Sequence, residues 1–262
     1  MKKFIKKNQH KENKGITGNG TDYTYYYLSF SEKLTAMAAG FLVGFIASYV
    51  YFSIASLSII TALICSYKAI SIYQKMLYNK RNKELRLQFR DLLESLSNSY
   101  TVGMTANRAF HAAYDDMKIE HGEKAYITKE MKLICDIRDN QGVEIKDGLK
   151  DFAQRSGIDD IISFAGVFEV SSELGGDVAK VIRETRDIIS DKVEIELEIQ
   201  TMVTSQKNQL NVLAIMPFVM VMLTKSFNTD DGSALVITVK IIAMAMFVFA
   251  YWLGTKIVNI KV

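Results

Sequence analysis

Uncharged apolar stretches lie on both sides of a long charged region in this chain. Residues 34–67 contain no Asp, Glu, Lys or Arg, and residues 208–224 are also uncharged. Residues 234–255 form a third apolar stretch, in which Lys240 is the single charged residue. About 20 apolar residues suffice for a helix to cross a bilayer. The pattern therefore predicts membrane helices before and after a soluble domain.

The length of residues 34–67 is compatible with one tilted helix or with two shorter helices. Lysines dominate the residues before this stretch, and basic residues outnumber acidic ones between Lys68 and Arg90. The positive-inside rule places both basic flanks in the cytoplasm, which requires an even number of crossings. We therefore expect a helical hairpin that turns near residues 48–53. The alternative, a single span, would put the following domain outside the cell.

The central region, residues 68–207, has the apolar periodicity of helices. Leu85, Phe89 and Leu92 are spaced i, i+4 and i+7, and glycines at 103, 142 and 157 separate later helical patterns. Residues 193–199 alternate between apolar and acidic residues as a strand does, but they continue a helical pattern with no intervening turn residue. These patterns predict an all-α protein with a cytoplasmic bundle of about six helices between two pairs of transmembrane helices.

Residues 158–174 form the most apolar part of the central region. Glu169 is the only charged residue from 161 to 172, and apolar side chains occur in nearly every direction around a helical period. Such a helix is usually buried on all sides, so we expect this one at the centre of the bundle. Its small residues, which would let neighbouring helices approach closely, are Ser163, Ala165 and Gly166.

A tight turn is predicted directly after this helix. Gly175 and Gly176 are expected to end the helix, and Asp177 is expected to cap the next one. One interpretation of the turn is purely structural. The other is that Glu173, Gly175, Gly176 and Asp177 lie at an exposed tip that binds a partner protein, because contact residues are often carried by loops on a rigid scaffold.

The two ends of the chain complete the predicted organisation. Residues 1–33 are basic and then rich in tyrosine, and a disordered tail is predicted for them. Residues 208–258 are predicted to form two transmembrane helices, and residues 259–262 a cytoplasmic tail. Pro217 lies in the first of these helices, where neighbouring helices can accommodate it. Lys240 either extends to the outer interface or pairs with another helix or subunit. Both residues are candidates for a functional role within the membrane.

The sequence shows no convergent group of catalytic residues. His111 and Asp115 form an i, i+4 pair, and His121 lies near Glu120 and Glu123, but no third ligand follows at a defined spacing. A solvated helix surface is the plainer interpretation of these groups. The basic start of the chain has no pattern of a folded basic surface with interleaved aromatic residues. We therefore expect no enzymatic activity, no cofactor, no metal and no nucleic-acid partner.

Three segments occur in a characteristic order before a long charged helix and a proline-containing apolar stretch. They are LLESLSNSYTVGMTANRAF at residues 92–110, GVEIKDGLKDFAQRSG at residues 142–157 and FEVSSELGGDVAKVIRE at residues 168–184. In their order, their spacing and their position between two apolar blocks, they resemble the type II secretion system F-domain family. The likeness is strongest to the TadB/TadC-like platform proteins of tight-adherence (Flp) pili, and it covers residues 68–260.

The resemblance implies a multi-pass platform protein of the inner membrane with an all-helical cytoplasmic domain. Proteins of this kind bind a hexameric secretion ATPase, a second platform subunit, pilins and membrane lipid, and they couple the ATPase cycle to pilin extraction. The stretch before the third membrane block is commonly basic in the family, whereas Glu194, Glu196 and Glu198 dominate it here. The competing hypothesis is a membrane-anchored extracytoplasmic helical domain that acts as a sensor or adhesin.

Overall fold

The computed structural model describes residues 15–16, 18, 20–52, 55–174, 176–225, 242–243, 246–247 and 249–256. Within these residues all regular structure is helical and no strand occurs, which confirms the predicted all-α fold, including the helical state of residues 193–199. The helices are α1 (Phe30–Phe52), α2 (Ala55–Thr101), α3 (Ala106–His121), α4 (Tyr126–Gln141), α5 (Ile145–Ser156), α6 (Asp159–Leu174) and α7 (Val178–Lys225). The described residues from 242 to 256 are also helical.

The chain is divided into two compact units. One unit, here called the helical domain, consists of Leu77–Val193 and the described residues up to Tyr26. The other consists of Tyr27–Met76 and the described residues from Glu194 onward. The boundaries of the helical domain at Leu77 and Val193 therefore fall inside α2 and α7. An uninterrupted helix carries no local signal for such a boundary.

The first uncharged stretch belongs to two helices and not to one long span. α1 ends at Phe52 and α2 begins at Ala55. Both helices are long and apolar enough to cross a membrane, over Phe30–Val50 and within Ala55–Thr101. α2 runs continuously from the uncharged stretch into the helical domain, so the helical spacing of Leu85, Phe89 and Leu92 belongs to this same helix.

Small residues let α1 and α2 approach each other closely. A Cβ atom at Gly40 or Gly44 would lie 2.5 Å or 2.8 Å, respectively, from a side-chain atom of α2. The hydroxyl of Ser66 donates a hydrogen bond to the main-chain oxygen of Met37 at 3.1 Å. Small residues and hydroxyl bonds of this kind are typical of packed transmembrane helices.

Aromatic side chains form the centre of the helical domain. Phe164 has ring-centroid distances of 5.6 Å to Phe89 and 5.7 Å to Phe168. Phe168 in turn contacts Phe110, and Phe89 contacts Phe152. All five side chains are at most 2% exposed. Edge-to-face and tilted ring pairs add to the stability that burial of this apolar area provides.

α6 is buried on one side only, so the prediction of a helix surrounded by its neighbours is wrong. Ile162, Val167 and Val170 are 45%, 49% and 53% exposed. At Gly166, a Cβ atom would have no neighbouring atom within 4 Å among the described residues. The buried side consists of Ile161, Phe164, Ala165 and Phe168. Apolarity around the whole circumference does not reveal how many neighbours a fold supplies, and here they lie on one side.

The residues before α1 do not all belong to a disordered tail, as was predicted for residues 1–33. Tyr23 is fully buried, and its main-chain N–H donates to the main-chain oxygen of Arg155 at 2.9 Å. α1 also begins at Phe30, before the predicted boundary. Composition predicted disorder because glycine and polar residues dominate locally, whereas the order of this segment comes from burial against distant helices. Residues 1–14, 17 and 19 lie outside the described residues.

Candidate partner-binding surface

The turn between α6 and α7 has the local structure that its sequence predicts. The main-chain N–H of Gly176 donates to the oxygen of Ser171 at 2.9 Å, which closes the end of α6. The Asp177 carboxylate accepts the main-chain N–H of Lys180 at 3.0 Å, so Asp177 caps α7. Gly175 lies outside the described residues. A capped turn of this kind gives its exposed side chains a defined position.

Two lysines of α5 pair with two glutamates of α6 beside this turn. Lys146 Nζ lies 2.9 Å from Glu173 Oε1, and Lys150 Nζ lies 2.8 Å from Glu169 Oε1. The hydrogen bond from Lys146, with its charge, lowers the pKa of Glu173. Glu173 is 53% exposed, and exposed pairs contribute little to stability. Glu173 is thus held as an oriented negative charge that remains accessible to a partner.

An apolar strip leads along α6 to this turn. We call it the α6 ridge, and it consists of Ile162, Ser163, Gly166, Val167, Val170 and Leu174, all of which are exposed. Leu174, at the end of the strip, is 81% exposed. Of the three small residues predicted to admit neighbouring helices, Ser163 and Gly166 lie on the ridge, while Ala165 faces the core. Exposed apolar strips with polar borders are typical of surfaces that bind other proteins.

A cluster of charged side chains lies between α2 and α3. Asp91, Glu120 and His121 each bring one potential metal-ligand atom within 4.8 Å of the others. The Asp91 carboxylate, however, accepts a hydrogen bond from Arg90 at 2.7 Å and lies 3.2 Å from His121 Nε2. A guanidinium group on this carboxylate competes with a cation. The Asp91 carboxylate is therefore already paired with Arg90 and His121.

His111 and Cys135, two other potentially reactive side chains of the helical domain, are explained by the packing of the helices. His111 Nε2 lies 3.2 Å from Asp139 Oδ2 of α4, so this exposed pair links two helices. Cys135 is buried, and burial raises the pKa of its thiol to about 12. A reactive cysteine needs a lowered thiol pKa and access to solvent. Neither condition is met at Cys135.

Of Pro217 and Lys240, the two candidates for a role within the membrane, the structure describes only Pro217. Pro217 lies inside α7, which continues through it to Lys225. Lys240 lies outside the described residues. A Cβ atom at Gly254 would lie 2.6 Å from Leu210 Cδ2, so α7 packs closely against the helical residues near the end of the chain. The close glycine contact resembles that between α1 and α2.

The sequence patterns assign no role to a group of buried charges in the helical domain. Arg155 is 0% exposed, Glu130 2% and Asp151 9%. The Arg155 guanidinium lies 2.7 Å from Glu130 Oε2 and 2.8 Å from Asp151 Oδ2. Burial disfavours its charged form, but the hydrogen bonds and charges of the two carboxylates raise the pKa of Arg155 overall. The i, i+4 spacing of Asp151 and Arg155 could have indicated an ion pair. It could not indicate burial, because solvent-exposed pairs have the same spacing.

Comparisons of the chain with models of protein families, with curated proteins and with solved structures gave no match. The resemblance to the type II secretion system F-domain family therefore stays a prediction from the residues. The structure itself shows a helical protein with two helices that are long and apolar enough to cross a membrane.

Proposed function

We propose that this protein is an inner-membrane platform protein of a Tad-type pilus or a type II secretion-like machine. In this role it is a multi-pass membrane protein, and its helical domain lies in the cytoplasm, where a hexameric secretion ATPase binds it. A second platform subunit, pilins and lipid are its other partners. It performs no chemistry itself and couples the ATPase cycle to the extraction of pilins from the membrane.

The observation that carries this proposal is the continuity of α2 between an apolar segment and the core. α2 has 47 residues, which at 1.5 Å per residue gives a length of about 70 Å. It contains neither glycine nor proline, the usual causes of a sharp kink. Ala62, near its start, and Leu85, further along, are both fully buried. The same helix thus belongs both to an apolar segment and to the core, as a coupling protein requires.

The α6 ridge and the capped turn support the proposed contact with the ATPase. The ridge is apolar and exposed, whereas the opposite side of the same helix is packed in the core. Glu173, Gly176 and Asp177 lie at the end of the ridge, and hydrogen bonds hold their main chain and side chains in place. An apolar strip that ends in oriented charges offers a partner both buried area and polar specificity.

Replacing Lys150 with cysteine is expected to create a thiol that a membrane-impermeant maleimide labels only after cell lysis. The Lys150 side chain is 51% exposed on the helical domain, which the proposal places in the cytoplasm. The background carries Cys65→Ser and Cys135→Ala. Alanine is chosen at position 135 because the site is buried and a hydroxyl there would need a partner. A mass shift on a gel, in intact and in lysed cells, measures the labelling.

The matched control is Asp231→Cys, between the two transmembrane helices predicted for residues 208–258, because a cytoplasmic tail at residues 259–262 places the loop between these helices outside the cell. This variant should be labelled in intact cells, which shows that the reagent reaches accessible thiols. Labelling of the Lys150→Cys protein in intact cells would overturn the platform function, because a domain outside the cell cannot bind a cytoplasmic ATPase. That result would favour the sensor or adhesin hypothesis.

The substitution Glu173→Lys is expected to reduce co-purification of the secretion ATPase about tenfold, the scale at which interfacial charges act. The variant reverses an exposed charge beside the α6 ridge and leaves the core unchanged. The measurement is the ratio of ATPase to tagged protein recovered from detergent-solubilised membranes. The control, Lys146→Glu with Glu173→Lys, restores the ion pair in the opposite order. Recovery of the ATPase by this double variant would assign the loss to the ion pair and not to an ATPase contact.

A further inference from the structure

Residues 20–26, here called the strap, contain neither helix nor strand, and Tyr23 anchors them to the helical domain. The Tyr23 ring lies edge-on to Tyr126 at 5.9 Å and to Phe152 at 6.5 Å between centroids. Its hydroxyl donates to Glu130 Oε1 at 3.0 Å. Burial and the negative charge of Glu130 raise the pKa of Tyr23 well above its ordinary value, so the hydroxyl keeps its proton. Ring and hydroxyl together attach the strap to α4 and α5.

Arg81 of α2 provides a second anchor for the strap. Its Nη2 group donates to the main-chain oxygens of Tyr23 at 2.8 Å and Tyr25 at 3.3 Å. The guanidinium carbon lies 5.3 Å from the ring centroid of Tyr23 and 5.1 Å from that of Tyr26. Cation–π contacts of this geometry strengthen when they are shielded from water, and Arg81 is only 8% exposed. Three helices therefore contribute to the site that holds the strap. We call this site the seat, and it consists of Arg81, Tyr126, Glu130, Asp151, Phe152 and Arg155.

Three buried charges of the seat, Arg155, Glu130 and Asp151, keep their pairing whether or not the strap is present. Arg155 gives one hydrogen bond to the strap, from Nη1 to the main-chain oxygen of Thr21 at 3.1 Å. Its other contacts are with Glu130 and Asp151, which belong to the helices. Removal of the strap would leave these three charges paired with one another. These three charges are therefore a preformed part of the seat, whereas Arg81 gains its hydrogen bonds to main-chain oxygens only when the strap docks.

The strap also has local order of its own. The Asp22 carboxylate accepts the main-chain N–H of Thr24 at 2.8 Å, which closes a short turn around Tyr23. A segment that is ordered before it binds loses less conformational entropy on docking. Local order in the ligand and preformed charges in the seat are the two properties of a separable binding unit.

We propose that the strap is a separable ligand of the helical domain and that the seat recognises a non-helical segment with a tyrosine at its centre. The strap continues through residues 27–29 into α1, which begins at Phe30. A docked strap therefore gives α1 a second connection to the helical domain, besides the one through α2. Release of the strap removes that second connection. Docking and release of the strap would have this effect in any membrane protein with the same connections. The proposal therefore does not depend on the platform function.

The test uses the full-length Tyr23→Ala protein in detergent and a fluorescein-labelled peptide with the sequence of residues 18–28. The variant weakens its own strap, so the seat is open to the added peptide. We expect saturable binding by fluorescence anisotropy. Binding should be about tenfold weaker for a Tyr23→Phe peptide, which lacks the hydrogen bond to a charged acceptor, and undetectable for a Tyr23→Ala peptide. Wild-type protein should bind the native peptide much more weakly, because its own strap occupies the seat.

Protection of Cys135 from a thiol reagent, in a Cys65→Ser background, shows whether the variant is folded, since Cys135 is buried in the helical domain. Equal binding of the three peptides, or equal binding by wild-type and variant protein, would overturn the proposal. The proposal would also be overturned if Cys135 is protected from the reagent in the Tyr23→Ala protein and no peptide binds. Exposure of Cys135 in the Tyr23→Ala protein would also overturn it, because the strap would then be an inseparable part of the core.

Discussion

Replacing Arg155 with methionine is expected to lower the free energy of unfolding of the helical domain by about 3–5 kcal/mol. The guanidinium lies 2.7 Å from Glu130 Oε2 and 2.8 Å from Asp151 Oδ2, and all three side chains are buried. Methionine has a similar volume but no charge, so two buried carboxylates would lose their counter-charge. The measurement is the urea concentration at which Cys135 becomes accessible to a pulse of thiol reagent, in a Cys65→Ser background.

The control is a triple variant in which Arg155, Glu130 and Asp151 are all replaced by apolar residues. Replacement of a whole buried ion group is often nearly neutral. An unchanged urea midpoint for Arg155→Met would show that the two carboxylates are not buried as the structure describes.

Replacing Phe164 with alanine is expected to lower the free energy of unfolding by about 3–5 kcal/mol. Phe164 is 1% exposed and contacts the rings of Phe89 and Phe168. Removal of its ring leaves a cavity at the point where α2 and α6 meet. Pulsed labelling of Cys135 again measures the loss.

The matched control for this variant lies on the other side of the same helix. Val170 is 53% exposed on the α6 ridge, so Val170→Ala should change the free energy of unfolding by less than about 0.5 kcal/mol. A similar loss in the two variants would contradict the one-sided burial of α6. It would mean that the ridge is covered in the purified protein.

The helices of the helical domain could be predicted because their ends are set by local chemistry. Gly142 and Gly157 follow α4 and α5 with φ of 68° and 62°. Glycine adopts this left-handed conformation without the steric cost that other residues have, and both helices end there. Asp177 likewise caps α7 as its position after two glycines suggests. Signals of this kind act within a few residues and need no knowledge of the fold.

The features that the sequence did not predict arise from contacts between residues far apart in the chain. Tyr23 and Glu130 are hydrogen-bonded over 107 positions, and neither residue has a distinctive local pattern. The exposure of Val170 and Gly166 depends on where other helices lie, because the composition of α6 is the same whether a neighbour covers it or not. The continuity of α2 had an available signal, since residues 68–84 contain no glycine or proline.

At the candidate partner-binding turn, one part could be predicted from local signals and another part depends on distant helices. The sequence placed Glu173 and Asp177 beside a tight turn, and local hydrogen bonds explain why they lie there. The α6 ridge that leads to the turn was predicted to be buried. Its exposure places the turn at the end of an apolar surface, which the sequence alone did not suggest.

The unbroken course of α2 also restricts how this protein can change in length during evolution. Each residue added to an α-helix rotates the part beyond it by about 100°. One residue inserted between Leu85 and Leu96 would turn one of these two side chains away from the core, since both are fully buried on the same helix. Seven added residues make nearly two turns and shift the two faces by only about 20°. Homologous chains should therefore differ in this segment by substitution, or by insertions and deletions in multiples of about seven residues.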